Sequence, residues 1–171
     1  MSHYKRIYLP GHSYFFTVVT HNRSKLFALD ENVQLLKAAL RYVQSRKPFT
    51  IDAICILPDH LHCIWTLHDD CDHSVRWQMI KTQFTRQLRS KKPEFKKSKI
   101  WQPRYWEHLI RSQDDLRKHI DYTHYNPVKH GLVSVVKDWP YSSFNNYRKQ
   151  GFYENGWGNI EPNLIIGMSC E

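Results

Sequence analysis

The chain has 171 residues, a net charge of +9 and an aromatic content of 14%. This length suffices for one domain with its own core, and the positive charge favours a polyanionic partner such as nucleic acid. The first residues form no long apolar stretch and the four cysteines lack Cys-x-x-Cys spacing. These features argue against a signal peptide, a membrane span and a zinc ribbon, and they fit a reducing cytoplasm.

The first half of the chain predicts three strands and one helix. Residues 14–20 are aromatic and β-branched, which is typical of a strand. Asp30 can cap a helix over residues 31–45, where apolar residues recur with helical spacing. Residues 49–57 and 60–67 predict two further strands, and their two-residue connection indicates an antiparallel hairpin.

The second half predicts a helix over residues 73–88 and a strand over residues 104–111, separated by the lysine-rich segment 89–99. Like charges at this density favour a flexible loop. With a third helix at the end, the order is β-α-β-β-α-β-α, whose first six elements match the ferredoxin-like split β-α-β arrangement. We therefore expect an α+β fold with an antiparallel sheet and helices on one face. Residues 1–171 should form one domain, with irregular structure from about 138 to 171 packed on it as an extension.

The third predicted helix carries a group of polar residues that could belong to a functional site. Ser112 and Asp115 form a capping box at its start. Pro127 disfavours helix in the residue before it, so the helix should end near Asn126. Its packing stripe is expected to consist of Leu116, Ile120 and Thr123. Tyr122 and Asn126 lie one turn apart and should point away from that stripe together.

The pair His60 and His62 is the strongest local signal of chemistry. Residues i and i+2 of a strand face the same side, so the two imidazoles should project together and begin a divalent metal site. The alternative is that both are surface histidines. The residues that flank them in the sequence are strongly apolar, however, so the strand should be buried, and two polar side chains on a buried strand need partners or a function. Tyr122 could act as a nucleophile, or it could be an amphipathic tyrosine at the boundary between sheet and helix. Tyr125 is the other candidate for the nucleophile.

Taken in order, these motifs resemble the single-tyrosine HUH transposases, and most closely the REP-associated tyrosine transposases. The resemblance spans roughly residues 4 to 148. The segments that carry it are YFFTVVTHNR at 14–23, ILPDHLHCIWTL at 56–67, IWQPRYWEHLIR at 100–111, HIDYTHYNPVKHGLV at 119–133 and DWPYSSF at 138–144. It implies the HUH nuclease fold and action on single-stranded hairpin DNA, specifically repetitive extragenic palindromes (REPs).

The resemblance also implies a mechanism and a site. The expected activity is that of a metal-dependent endonuclease and strand transferase, which forms a 5′-phosphotyrosine intermediate. His60 and His62 match the metal-binding histidines, and Tyr122 matches the nucleophile. Asn126 takes the position of the third ligand, which is Gln in other branches, and the metal would be Mg²⁺ or Mn²⁺. A monomer is favoured, with a dimer possible, in a cytoplasmic and nucleoid-associated location.

Contacts to DNA are expected from basic residues near these elements, namely Lys5, Arg6, Lys91, Lys92, Lys96, Lys97, Arg104, Arg111 and Lys118. Trp101, Tyr105 and Trp106 could stack on bases or belong to the core. Two other readings stay open. One is a hairpin-binding protein of the same fold with little catalysis. The other is a zinc hydrolase that uses His60 and His62 with His21 or His108.

Overall fold

The structure is a computed structural model that describes residues 9–170. Its centre is a four-stranded antiparallel sheet in the order β2-β3-β1-β4. The strands are β1 (Ser13–Val19), β2 (Thr50–Ile56), β3 (His60–Thr66) and β4 (Trp106–Leu109). The α-helices are α1 (Asp30–Gln44), α2 (His73–Lys91), α3 (Gln113–Lys129) and α4 (Phe144–Lys149). Short 3-10 turns occupy His21–Arg23, Leu26–Ala28, Pro93–Phe95, Val136–Asp138 and Asn163–Ile165. The predicted fold class is confirmed.

One face of the sheet packs on α1 and α2, as expected for the two helices of a split β-α-β unit. Alternate β1 residues, including Phe16 and Val18, enter this main core together with the buried face of α1. On the same side the indole rings of Trp65 and Trp77 stack at 4.3 Å between centroids. Because side chains alternate along a strand, the remaining residues of β1 and β3 must point to the opposite face of the sheet.

The opposite face of the sheet is covered by α3, which the expectation of helices on one face did not include. A second hydrophobic cluster forms there from Phe15 and Ile64 of the sheet and Tyr122 of α3, with others. The predicted packing stripe was incomplete, because Thr123 is fully buried and Leu116 and Ile120 pack against this cluster, but Tyr122 and Asn126 are buried as well. The polar side of α3 therefore also packs inward, since this sheet face itself presents polar side chains that need partners.

Two further boundaries differ from the sequence-based expectations. Helix α3 continues past Pro127 to Lys129, and the carbonyls of Asn126 and Pro127 are bonded by N–H groups beyond the helix end. Proline costs one hydrogen bond there, in the last turn, where the surrounding residues are buried. The fourth strand is also shorter than predicted.

The lysine-rich segment is an ordered turn rather than a flexible loop. Helix α2 extends into it as far as Lys91. The Arg89 guanidinium donates hydrogen bonds to the carbonyls of Phe95 and Ser98, at 3.3 and 3.0 Å. Lys92 forms an ion pair with Glu31 of α1. These contacts hold the segment in place against the repulsion between its like charges.

Residues after about 138 follow the outer edge of β2 and then cross to α3. The Ile56 N–H donates to the Tyr141 carbonyl at 2.8 Å, and the Ser143 N–H donates to the Ile54 carbonyl at 2.9 Å. Beyond α4 the chain is largely irregular, and it buries Ile165 and Cys170 in the second cluster. Among residues 9–170, no helix is long and apolar enough to cross a membrane.

Candidate active site

Strand β3 and helix α3 bring together the four residues that the sequence singles out. The imidazoles of His60 and His62 lie 4.9 Å apart between ring centroids, and the ring of Tyr122 lies 5.3 Å from that of His62. None of the three is more than 1% exposed, and Asn126 is fully buried. The period-two spacing on β3 and the i, i+4 spacing on α3 thus converge between the sheet and the helix.

A hydrogen bond fixes the orientation of each histidine. His60 Nδ1 lies 2.6 Å from a carboxylate oxygen of Asp59, and His62 Nδ1 lies 2.9 Å from the hydroxyl of Thr17. That hydroxyl donates its own proton to the Cys170 carbonyl, so it accepts from His62. Both Nδ1 atoms therefore act as donors, and both Nε2 atoms keep their lone pairs. Partners of this kind set the tautomer of a metal-binding histidine.

Three buried acceptor atoms at this site lack a hydrogen bond of ordinary geometry, although the Asn126 side chain is close enough to His62 to act against the lowering of its pKa. They are the Nε2 atoms of His60 and His62 and the amide Oδ1 of Asn126. The Asn126 amide nitrogen is within 3.4 Å of the Tyr122 carbonyl, which directs Oδ1 to the other side. A buried polar atom without a partner costs free energy, so a cluster of three calls for an explanation. Two imidazole nitrogens and one amide oxygen form a donor set that fits a divalent cation.

The electrostatics of the site favour uncharged imidazole at His62. Burial lowers the pKa of His62 well below its ordinary value, and the nearby positive charges of His60 and His130 act in the same direction. Burial alone would raise the pKa of Asp59, but hydrogen bonding and charge from His60 and Arg23 outweigh it and bring the pKa to about 2. Asp59 is therefore an anion beside the imidazole of His60, and negative charge at this position suits cation binding.

The Tyr122 hydroxyl meets a lysine and the C-terminal segment. The Nζ of Lys129 lies 3.5 Å from the hydroxyl oxygen and 4.7 Å from the centre of the ring. Lys118, which is expected from the sequence to contact DNA, is exposed on the same helix. The Cys170 N–H donates to the Tyr122 hydroxyl at 3.2 Å, so residues 163–170 cover the oxygen that would act as nucleophile. The rival Tyr125 lies elsewhere in the second cluster, against Gly158.

The residues expected to contact DNA fall into three groups. Lys5 and Arg6 lie outside the described residues. The group near α3 and β4 is exposed and consists of Arg104, Arg111 and Lys118. The group at the end of α2 lies beside α1, across the sheet from Tyr122, and consists of Lys91, Lys92, Lys96 and Lys97, of which Lys92 is paired with Glu31. Of the aromatic candidates, Trp106 is 40% exposed, whereas Trp101 and Tyr105 pack against the main core.

Three residues of the site were missed by sequence reasoning, and each for a different reason. Asp59 directly precedes His60, so its position was a usable signal. Thr17 meets His62 only through the register of β1 and β3, which pairs these two residues. Lys129 lies two turns after Tyr122 on α3, beyond the point where Pro127 was expected to end the helix. The proposed zinc ligand His108 instead hydrogen-bonds Asp115, away from His60.

Comparisons with known proteins agree with this geometry. Residues 9–125 match the family model described as "Transposase IS200 like". A REP-associated tyrosine transposase of Escherichia coli K12 is 46% identical over 98% of this chain and 97% of its own length. The solved structure of a REP-associated tyrosine transposase bound to a REP hairpin covers 95% of this chain and 94% of that one, with 43% identity and a TM-score of 0.84.

Proposed function

Because the chain belongs to the IS200-like transposase family, and within it to the REP-associated tyrosine transposases, we propose that it cuts and rejoins single-stranded hairpin DNA with Tyr122 as nucleophile. One observation carries the proposal. Three buried acceptors without a hydrogen bond of ordinary geometry, on His60, His62 and Asn126, lie beside a tyrosine whose ring is 5.3 Å from that of His62. A protein that only binds hairpins needs none of these groups.

The residues of the site fit Mg²⁺ or Mn²⁺. The ion would be held by the Nε2 atoms of His60 and His62 and by Oδ1 of Asn126, and when bound it would polarise the scissile phosphate and offset its charge. Asn126 contributes a neutral oxygen rather than a carboxylate, so the affinity should be modest. Imidazole is a better ligand for Mn²⁺ than for Mg²⁺, so Mn²⁺ should be the more effective of the two.

Tyr122 would carry the covalent step. Its phenolic oxygen attacks phosphorus, the bond from phosphorus to the 3′ oxygen breaks, and a 5′-phosphotyrosine forms beside a free 3′-hydroxyl. The proton of the phenol passes to solvent, and the departing 3′ oxygen takes up a proton. The Lys129 ammonium lies 3.5 Å from the phenolic oxygen and can hold it in position for the attack. Attack by a second 3′-hydroxyl on the phosphotyrosine reverses the step and joins two strands without an external energy source.

The substrate follows from the relative and from the charge of the chain. The related structure was solved with a REP hairpin, and we extend that class of ligand to this chain. The net charge of +9 and the exposed side chains of Arg104, Arg111 and Lys118 supply a surface for phosphates. Trp106 is exposed beside Phe15, which contacts the rings of both His62 and Tyr122, so a base could stack near the site.

A hairpin-binding protein with little catalysis is the second candidate, and the segment over Tyr122 is the observation that favours it. A denaturing gel of the protein with end-labelled hairpin DNA separates the two. The proposal predicts a protease-sensitive adduct that needs Mn²⁺ or Mg²⁺, disappears with EDTA and is absent from Tyr122→Phe. The matched control Tyr125→Phe should keep the adduct. Tight binding without any adduct, on hairpins of several sequences, would favour the binding protein.

A further inference from the structure

A second group of metal-ligating side chains lies where β4 meets the start of α3. Its members are His108, on β4, and Asp115 and His119, in the first two turns of α3, and one ligand atom from each lies within 4.8 Å of the others. The ring of Phe15 contacts both groups, with its centroid 4.9 Å from that of His119 and 5.5 Å from that of His62. The group shares no residue with the one already described.

The side chains converge on the carboxylate of Asp115. Its Oδ1 lies 3.1 Å from Nε2 of His108 and 3.0 Å from Nδ1 of His119, and its Oδ2 lies 2.9 Å from Nε2 of His108. Oδ2 also accepts the Arg111 N–H at 2.9 Å, and Nδ1 of His119 lies 2.8 Å from the Asp115 carbonyl. The two imidazoles stack at 4.5 Å with only 15° between their planes.

These distances are close to those that a metal would impose. Zinc holds nitrogen and oxygen ligands at about 2.0–2.1 Å, so neighbouring ligand atoms in a tetrahedral site lie about 3.3–3.4 Å apart. The separations of 3.0 and 3.1 Å from Oδ1 would have to grow by only about 0.3 Å. The two imidazole nitrogens, which lie within 4.8 Å of each other, would also have to come to about 3.4 Å, and the rings would have to rotate out of their stack so that both lone pairs point at the ion.

We propose that His108, Asp115 and His119 bind a zinc-class divalent cation, separately from the site at His60 and His62. Two imidazoles and one carboxylate are a ligand set that zinc accepts, with water in the fourth position. Partial exposure of the His108 and Asp115 side chains, at 28% and 19%, leaves room for that water. The bound ion ties β4 to the first turns of α3, the helix that carries Tyr122. The proposal does not depend on the proposed transposase chemistry.

Zinc binding to the full-length protein tests the site without any activity assay. The protein is stripped with EDTA, dialysed against Zn²⁺ and analysed for bound metal. The starting variant is His60→Gln/His62→Gln, which removes the first site. The comparison variant adds His108→Gln and His119→Gln, because glutamine can still hydrogen-bond Asp115 but is a poor zinc ligand. Circular dichroism checks that both variants are folded.

We expect the starting variant to retain one zinc per chain and to unfold at a higher temperature with zinc than without it. The comparison variant should lose both effects. A matched control adds His12→Gln and His68→Gln, two exposed histidines, to the starting variant and should still bind one zinc. No bound zinc in the starting variant, or equal zinc in the comparison variant, would overturn the proposal and leave a hydrogen-bonded cap at the start of α3.

Discussion

The C-terminal segment over Tyr122 leads to a quantitative prediction about Ile165. This side chain is 2% exposed and anchors residues 163–170 in the second hydrophobic cluster. The Cys170 N–H bonds the Tyr122 hydroxyl at 3.2 Å, and this contact must open before the oxygen can reach a phosphate. We predict that Ile165→Ala raises the rate at which Tyr122 becomes linked to DNA.

The size of the effect follows from the burial of Ile165. Replacing a buried isoleucine with alanine costs about 2–5 kcal/mol in a core. We take the segment to detach as a unit, in which case the free energy of global unfolding should fall by less than this amount. A loss of about 2 kcal/mol from docking multiplies the population of the released state about 30-fold, and the initial rate should rise by the same factor until release is complete.

The assay is the initial rate of adduct formation on labelled hairpin DNA with Mn²⁺. Ile166→Ala is a matched control, because Ile166 is the next residue and is 62% exposed, and it should behave like the unaltered protein. Limited proteolysis reports whether the segment is released. A rate for Ile165→Ala at or below that of the unaltered protein, with the segment released, would refute the reasoning.

The remaining predictions concern metal affinity, acid stability and DNA binding. Asp59→Asn weakens the partner of His60 and should lower Mn²⁺ affinity about 10- to 100-fold in a metal titration, whereas Asp69→Asn, at an exposed aspartate, should not. Burial lowers the pKa of His124 from 6.5 to about 3, so between these values the unfolded chain binds a proton that the folded chain does not, and stability falls as the pH falls. The free energy of unfolding, measured with urea, should fall between pH 6.5 and about pH 4.5. This fall should be about 2 kcal/mol smaller in His124→Gln than in the unaltered protein, and it should be unchanged in the exposed control His12→Gln. Arg111→Ala should reduce the slope of log affinity against log salt by about 0.7 for a single-strand phosphate, and an unaltered slope would remove Arg111 from the DNA contacts.

Much of the candidate site follows from local periodicity. His60 and His62 share a face because side chains alternate along a strand, and Tyr122 and Asn126 share a face because they lie one turn apart. These rules need only short stretches of sequence. They placed the four residues on the correct elements, and the resemblance to a family joined the two elements in one site.

The orientation of α3 could not be predicted from its own residues. The apolar stripe of Leu116 and Ile120 indicated only part of the packing face, because hydrophobic periodicity assumes that the facing surface is apolar. The sheet face that α3 meets carries His62 and Thr17, so the helix turns its hydrogen-bonding side inward. Alternation along β3 predicts that the two histidines share this face, and the register of β1 and β3 adds Thr17 beside His62.

The segment over Tyr122 was also beyond sequence reasoning. Thr17 and Cys170 are more than 150 residues apart, yet the Thr17 hydroxyl donates to the Cys170 carbonyl at 2.5 Å. Residues 163–170 have little periodicity, and their position depends on the packing of Ile165 and on the Lys129 ammonium, which donates to the Met168 carbonyl at 2.8 Å. Long-range contacts of this kind leave no local pattern.

Mass spectrometry of the covalent adduct tests the central claim most directly. The protein is incubated with hairpin DNA and Mn²⁺, digested with protease and nuclease, and the peptide that carries residual nucleotide is sequenced. The account predicts a 5′-phosphate bonded to Tyr122 and to no other residue. Nucleotide on Tyr125 or on another side chain, or cleavage of the hairpin without any linked peptide, would contradict it.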